Sequence, residues 1–578
     1  MQSYSNRAWY SLLTITLLLS SGIYAMAIPG VITVTNTNDS GAGSLRQAIL
    51  DTNSASDTPR IINFSIGSGV KVIQPLSALP SITSSNVIID ATTQPGWSLD
   101  NPMIVLDGSL LTPFSVDGLT LSGVNNCVIS GLVINNGFNN GILITDAGIG
   151  TNLNAVIRCF IGIDYTGTIA KPNFNGITIN GSTNFSNQTN TIGGLTSDLG
   201  NLISGNNNSG IVLLTNTSGT SIQNNFIGTD INGTSAVPNL NGGISITGSL
   251  IPLAAEQCSD NTILSNLISG NSVGGILLFS NANTTFIQTN LIGVDVSGII
   301  ALPNDAGIVT QGQVPPDPTN PFNGGISETF VQLSNVISGN NLHGIVIGAN
   351  TTFSTITNNF IGTDLTGTVA LGNGGHGILI QGINNAPSTR NSIGSLNVSP
   401  SGANIIAFNG TAVSPAYGIL MAGDPVTPDT LNASVQNTIF NNVLSGIGLS
   451  NNSDNSQTIP TIVNALLNAN GDAITISATA PSIPSDGTFN IDLFINNVDH
   501  SPLTEGKIYV GTLFLVPAGT TLVGQFPLTS TVGSDLWVSA TTSNLNNFDA
   551  PGDTSPFTSN FQMATLPNNL PPFVFPPQ

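Results

Sequence analysis

The stretch NLISGNNNSGIVLLTNTSGTSIQNNFIGTD, Asn201 to Asp230, holds two phrases that recur down the chain. The first returns as NLISGN at Asn266, NVISGN at Asn335 and NIIAFN at Asn404. The second opens NFIGTDINGTSAVPN (Asn225 to Asn239). It has counterparts in FIGIDYTGTIAKPN from Phe160, LIGVDVSGIIALPN from Leu291 and FIGTDLTGTVALGN from Phe360. Aligning the Asn before each apolar pair gives Asn201, Asn225, Asn266, Asn290, Asn335, Asn359, Asn404 and Asn442, with steps of 24, 41, 24, 45, 24, 45 and 38 residues. A compact unit alternates with a long one, which is the signature of a repeat array.

The compact unit has room for three short strands, NLIS, GIVLL and TSIQ, separated by turns. A chain that returns to one column each turn and stacks like on like is a parallel β-helix, rising about 4.8 Å per coil. Gly-Ile opens one strand in coil after coil, at Gly141, Gly176, Gly210, Gly243, Gly275, Gly307, Gly344, Gly377 and Gly418. The Asn column predicts an amide ladder, since each side chain donates and accepts. Strand alternation puts Ile203, Ile227, Ile268, Ile292, Ile337, Ile361 and Ile406 inside with it. The residue between, such as Phe160, Phe226 or Phe360, points outward and forms an apolar stripe. Long coils carry two insertions, the FIG-loop and a second one after the GI strand (SLIPLAAEQCSD, QGQVPPDPTNPFNGG). The loops are expected to lie over the stripe.

Composition narrows the function classes. The 578 residues are too many for one compact core, and only 6% are charged, with a net charge of −21. Nucleic-acid binding needs clustered cations, and the chain has five Arg and three Lys, so that class is excluded. The first 27 residues, with Arg7, an apolar run and Ala25-Met26-Ala27, read as a signal peptide cleaved after Ala27. No later run is long enough to span a membrane. Cys127, Cys159 and Cys258 are too few and too scattered for a disulfide framework or zinc site and are expected to be free, buried thiols.

The repeats stop near Gln457. In GAGSLRQAILDTN, Ser44 and Gln47 fit a capping box, and Leu45, Ala48 and Ile49 one apolar face, predicting a helix that plugs the solenoid. Alternating segments from TIVNALLN to DLWVSATTS predict a small immunoglobulin-like β-sandwich. The expected organisation is a signal peptide (1–27), a β-helix (28–457, cap about 31–55, regular coils about 120–450), a sandwich (458–563) and a disordered Pro-rich tail (564–578).

TVTNTNDSGAGSLRQAI (Thr33 to Ile49), the alternating NLISGN and NFIGTD phrases, and TEGKIYVG (Thr504 to Gly511) resemble a family of bacterial secreted or cell-surface proteins. That family has right-handed parallel β-helix, pectin-lyase-like repeats, an N-terminal SLR segment and a C-terminal β-sandwich. The resemblance implies fold more than activity, since fold relatives include polysaccharide lyases, hydrolases and adhesins.

The reading reached from sequence is an exported, monomeric, non-catalytic scaffold that binds a polysaccharide or cell-surface glycan through its loop-decorated face, with Phe160, Phe226 and Phe360 as ligand contacts. The alternative is a secreted polysaccharide hydrolase or lyase. Its candidate catalytic residues are Arg158 and Lys171, cations flanking the first FIG-loop beside Asp164, and His376 of the Gly375-His376-Gly377 phrase with Asp364. His376 falls in a polar turn column with His343 one coil earlier, so a surface metal pair is a further candidate. The loop aspartates Asp164, Asp230, Asp295 and Asp364 are candidate Ca²⁺ ligands. They recur two coils apart, about 9 to 10 Å, so each would need its own loop's carbonyls. The plainer reading is an Asx-type turn, with no cofactor.

Overall fold

The structure is a computed structural model that describes residues 30–54, 60–148, 150–182, 187–248, 257–313, 324–383, 386–395, 402–423, 431–450, 458–482, 487–497, 504–528, 536–545 and 551–565. The predicted leader, most of both GI-strand insertions quoted above and the chain end from 566 lie outside the described residues. Three parallel sheets account for most strands. Sheet A has 13 strands, from Gly30–Val34 to Ala433–Ser434. Sheet B has 12, from Lys71–Ile73 to Thr438–Phe440, and sheet C has 11, from Leu119–Ser122 to Ile447–Ser450. Each coil contributes one strand per sheet, and the fold is the predicted parallel β-helix.

By contacts the chain divides into two compact units, Met1–Asn207 with Val212–Asn225, and Asn208–Ile211 with Phe226–Gln578. In the first, Phe160 pairs with Leu202 and Ile161 with Ile203. In the second, Phe226 pairs with Leu267 and Ile227 with Ile268. The predicted interior isoleucines are all 0% exposed. The Gly-Ile column has a steric cause, because a Cβ on Gly243 would meet Gly275 O at 2.7 Å, Ile268 Cγ2 at 2.8 Å and Asn271 Nδ2 at 3.0 Å.

Three amide ladders run where one was expected. In the second unit the first joins Asn266, Asn290, Asn335, Asn359, Asn404 and Asn437, each passing its N–H or Nδ2–H to the next Oδ1. Asn442 is not its last rung. It ends a second ladder, Asn239, Asn271, Asn304, Asn340, Asn373, Asn409 and Asn442, at the corner between sheets B and C. The last step of the first ladder is therefore 33 residues, from Asn404 to Asn437. A third ladder, at the corner before sheet A, joins Asn391 to Asn432, and in the first unit Asn154 to Asn190. Each net hydrogen bond contributes about 1 kcal/mol, and a stranded buried donor costs about 1–3.

The three cysteines are buried and none is in a disulfide. Two stand in ladder columns, for Cys127 N donates to Asn154 Oδ1 and Cys159 N to Asn201 Oδ1, both at 2.9 Å. Burial pushes their thiols up to about 11 and about 12, which disfavours the thiolate. The predicted helix is Leu45–Ser54, with Leu45, Ala48 and Ile49 buried. Ser44 Oγ accepts from Gln47 N at 3.2 Å, but Gln47 turns to Asp51, so only half the capping box forms. Arg46 of the SLR phrase pairs with Asp39 at 2.7 Å and donates to the carbonyls of Ser77 and Ala78.

Beyond the coils, two mainly antiparallel sheets of four and five strands share one core that includes Leu467, Ile474, Ile476, Phe489, Ile491, Leu513 and Val538. Ala564 and Thr565, expected to open the tail, instead pair with Leu466 and Leu467.

Candidate functional site

The outer face of sheet A in the second unit carries aromatic and charged residues on adjacent rungs. In strands Thr262–Leu264, Phe286–Gln288, Phe330–Gln332, Thr355–Ile356 and Ser392–Ile393 one residue, Ile263, Ile287, Val331, Ile356 or Ile393, is buried. Its neighbours therefore face out. The register stacks Thr262, Phe286, Phe330, Thr355 and Ser392 in one column, and Leu264, Gln288 and Gln332 in the next. Phe286 and Phe330 lie nearly parallel, with ring centroids 5.0 Å apart.

The corner before these strands adds a third column, Asp260, Thr284, Glu328, Phe353 and Arg390. All five hold left-handed backbone, with φ of 56°, 46°, 60°, 56° and 59°. That geometry turns each side chain out at a tight bend. Asp260, Glu328 and Arg390 are exposed, and Phe353 is 48% exposed. Thr284 donates to Glu328, and the Arg390 guanidinium lies 5.7 Å from the Phe353 ring centroid. Beneath the aromatics the third amide ladder lapses to Thr285, Thr329 and Ser354. Their hydroxyls are buried, with no partner among the described residues.

The expected loop site is built differently. Each FIG-loop closes on itself, through bridges Ile163 to Ala170, Thr229 to Ala236, Val294 to Ala301 and Thr363 to Ala370. Asp164 accepts from Thr166 Oγ1, Thr168 N and Ile169 N. Asp364 repeats this with Thr366, Thr368 and Val369. Asp230 takes Thr234 N and Ser235 N, and Asp295 takes Ser297 Oγ and Ile300 N. Burial alone would raise the Asp164 and Asp364 carboxyls, but these donors outweigh it and hold both below the usual range. No group of three or more His, Cys, Asp or Glu able to hold a metal occurs among the described residues.

The stripe lies under the loops, as expected. Phe160 is only 5% exposed, and Phe226 and Phe360 are half-buried. A Cβ on Gly233 would sit 2.8 Å from Leu267 and 3.1 Å from Phe226, and one on Gly367 2.5 Å from Ile405.

His343 and His376 do stack, at 5.2 Å with planes 2° apart, and Tyr417 continues the column at 5.9 Å. His343 Nδ1 accepts from His376 N, and His376 Nδ1 from Tyr417 N, both at 3.0 Å. Each proton therefore sits on Nε2. A shared zinc needs both nitrogens within about 2.1 Å of it, which parallel rings 5.2 Å apart do not permit. Burial lowers both pKa values, and with the neighbouring His343 takes His376 to about 4. Arg158 is paired with Asp198 at 2.8 Å, and Lys171 is exposed. No bond among the described residues joins either side chain to Asp164.

The sequence carries a signal for the aromatic face, because TFIQ at Thr285 and TFVQ at Thr329 repeat one strand in adjacent coils.

No known protein family and no curated protein matches the sequence. Among solved structures the chain is similar to the A-module of an Azotobacter vinelandii mannuronan C-5 epimerase, at 14% identity, covering 73% of this chain and 96% of that one, with a TM-score of 0.38. It is also similar to an E. coli bacteriophage tailspike in complex with a pentasaccharide, at 11% identity, 86% and 94% coverage and a TM-score of 0.39. A third is an Acinetobacter baumannii bacteriophage tailspike, a capsular polysaccharide depolymerase, at 8% identity, 87% and 80% coverage and a TM-score of 0.28.

Proposed function

We propose that this protein is an exported, non-catalytic scaffold that binds an oligosaccharide lying along the outer face of sheet A between Asp260 and Arg390. The observation that carries the reading is the Phe286–Phe330 pair, stacked at 5.0 Å on an outward face and flanked by Gln288 and Gln332. Aromatic faces take the apolar side of a sugar ring, while side-chain amides and carboxylates bond its hydroxyls. The position of the site departs from the loop row expected from sequence. There the carboxylates are bonded within their own loops and the phenylalanines lie beneath them. Export rests on the leader-like residues 1–27, and no helix among the described residues is long and apolar enough to cross a membrane.

The test is a glycan array with the purified chain, followed by titration of a retained oligosaccharide. Binding that disappears with Phe286→Ala plus Phe330→Ala supports the reading, and retention of nothing on the array sinks it.

One observation favours the hydrolase alternative. Asp260 and Glu328 stand two rungs apart in one column, about 9 to 10 Å, at the upper end of the spacing used by inverting glycosidases. Release of reducing ends by the wild type, abolished in Glu328→Gln, would replace the scaffold reading with that one.

A further inference from the structure

We propose that Thr504-Glu505-Gly506, with Asp492 and Thr554, is the terminal rung of the solenoid: the C-terminal sheets end the coils by imitating the next coil. A β-helix leaves its last coil with open backbone donors, a template for pairing with another chain. Here donors at two corners and in sheets A and B are met by the C-terminal sheets. Within the solenoid Asn340, Asn373 and Asn409 each give their N–H to the Oδ1 of the next Asn. Asn442, the last, gives its N–H to Glu505 Oε1 at 2.9 Å. The carboxylate stands where the next amide would.

The other corners follow. Gly377 N and Gly418 N donate to the carbonyls of Tyr417 and Ser445 one coil on, and Gly446 N donates to Thr504 O at 2.8 Å. Ser334 N donates to Asn358 O in the next coil, whereas Gln436 N donates to Asp492 Oδ2 at 3.0 Å. In sheet A, Ser434 N donates to Thr554 Oγ1 at 2.9 Å. In sheet B, Ile439 and Gly506 exchange both backbone bonds, at 2.7 and 2.9 Å, so the added rung runs antiparallel.

The imitating segment is held rigidly. Asn496 donates to Glu505 O at 3.0 Å and accepts from Lys507 N at 2.9 Å. Phe557, 3% exposed, fills the space between the glycines. A Cβ on Gly446 would meet its ring at 2.6 Å, and one on Gly506 at 2.4 Å. This gives the TEG phrase a role that follows from geometry. It also makes the two sheets a built-in end of the solenoid rather than a separately tethered domain.

Hydrogen exchange of the full chain tests the inference. In the wild type, peptides covering 434–446 should exchange as slowly as interior peptides covering 335–347. Glu505→Ala should speed exchange at 439–446 tenfold or more and leave 335–347 unchanged. Glu505→Gln, which keeps the accepting oxygen, should restore protection. Should Glu505→Ala fail to fold, the wild-type comparison and Glu505→Gln decide alone. Fast exchange of 434–446 in the wild type, unchanged protection in Glu505→Ala, or loss of protection in Glu505→Gln equal to that in Glu505→Ala would each overturn it.

Discussion

The FIG-loops and the outer face of sheet A place similar residue types in opposite states. In the loops Asp230, Asp295 and Asp364 are 6%, 5% and 3% exposed, and their oxygens hold the loop's own donors. On sheet A, Asp260 and Glu328 are exposed at a left-handed corner, in one column with the exposed Phe353 and beside the half-buried, stacked Phe286 and Phe330. The difference teaches that repetition alone does not mark a binding site. A feature repeated in every second coil serves the coil, whereas one confined to a few rungs, as Phe286, Phe330, Phe353 and Arg390 are, has no part in the repeat.

The comparison can be broken by substitution. Phe286→Ala with Phe330→Ala should weaken oligosaccharide binding about 30- to 100-fold, or about 2–3 kcal/mol, while the melting temperature moves little, as titration and calorimetry would show. Asp364→Ala should do the reverse. Several charge-assisted bonds vanish, so stability should fall by about 1.5–3 kcal/mol in denaturant titration with affinity unchanged. Calcium or a chelator should leave the melting temperature of the wild type where it is.

Two titrating groups sharpen the picture away from the face. Burial raises Asp492 to about 6, so the stability linked to it is complete below the ordinary carboxylate value of 3.8 and is lost as pH rises through about 6. His376, lowered to about 4 by burial and by His343, contributes stability that is complete above 6.5 and lost as pH falls through about 4. The two slopes oppose each other between pH 4 and 6. Asp492→Asn should therefore leave a melting temperature that rises with pH in that window, and His376→Gln one that falls. Asp492 should give the larger effect, up to about 3 kcal/mol, and the partly exposed His376 about 1 kcal/mol after solvent screening. The smallest effect belongs to Arg390→Gln. It loses a partly exposed contact with Phe353 and should cost affinity only about threefold, or about 0.5–1 kcal/mol.

The solenoid was legible because its requirements recur in sequence. Asn at one corner, Ile two residues later and a glycine with no room for Cβ return in coil after coil. The second ladder was harder to read because its asparagines precede turns of varying length, which let Asn442 pass for a rung of the first. The third was hidden where Thr285, Thr329 and Ser354 replace amides. The aromatic face was missed for the opposite reason. It depends on two strands, TFIQ and TFVQ, coming into register across the 44 residues from Phe286 to Phe330, and only the fold brings them together. The terminal rung could not be read at all, since Glu505 and Asn442 are 63 residues apart and share no phrase.

The most direct measurement is hydrogen exchange on the full chain with and without a saturating oligosaccharide retained on the array. Slowed exchange in peptides spanning 260–288 and 326–357, with the loops at 230–237, 295–302 and 364–371 unchanged, is the result predicted. Protection of the loop peptides, with the sheet A peptides unaffected, would contradict the account.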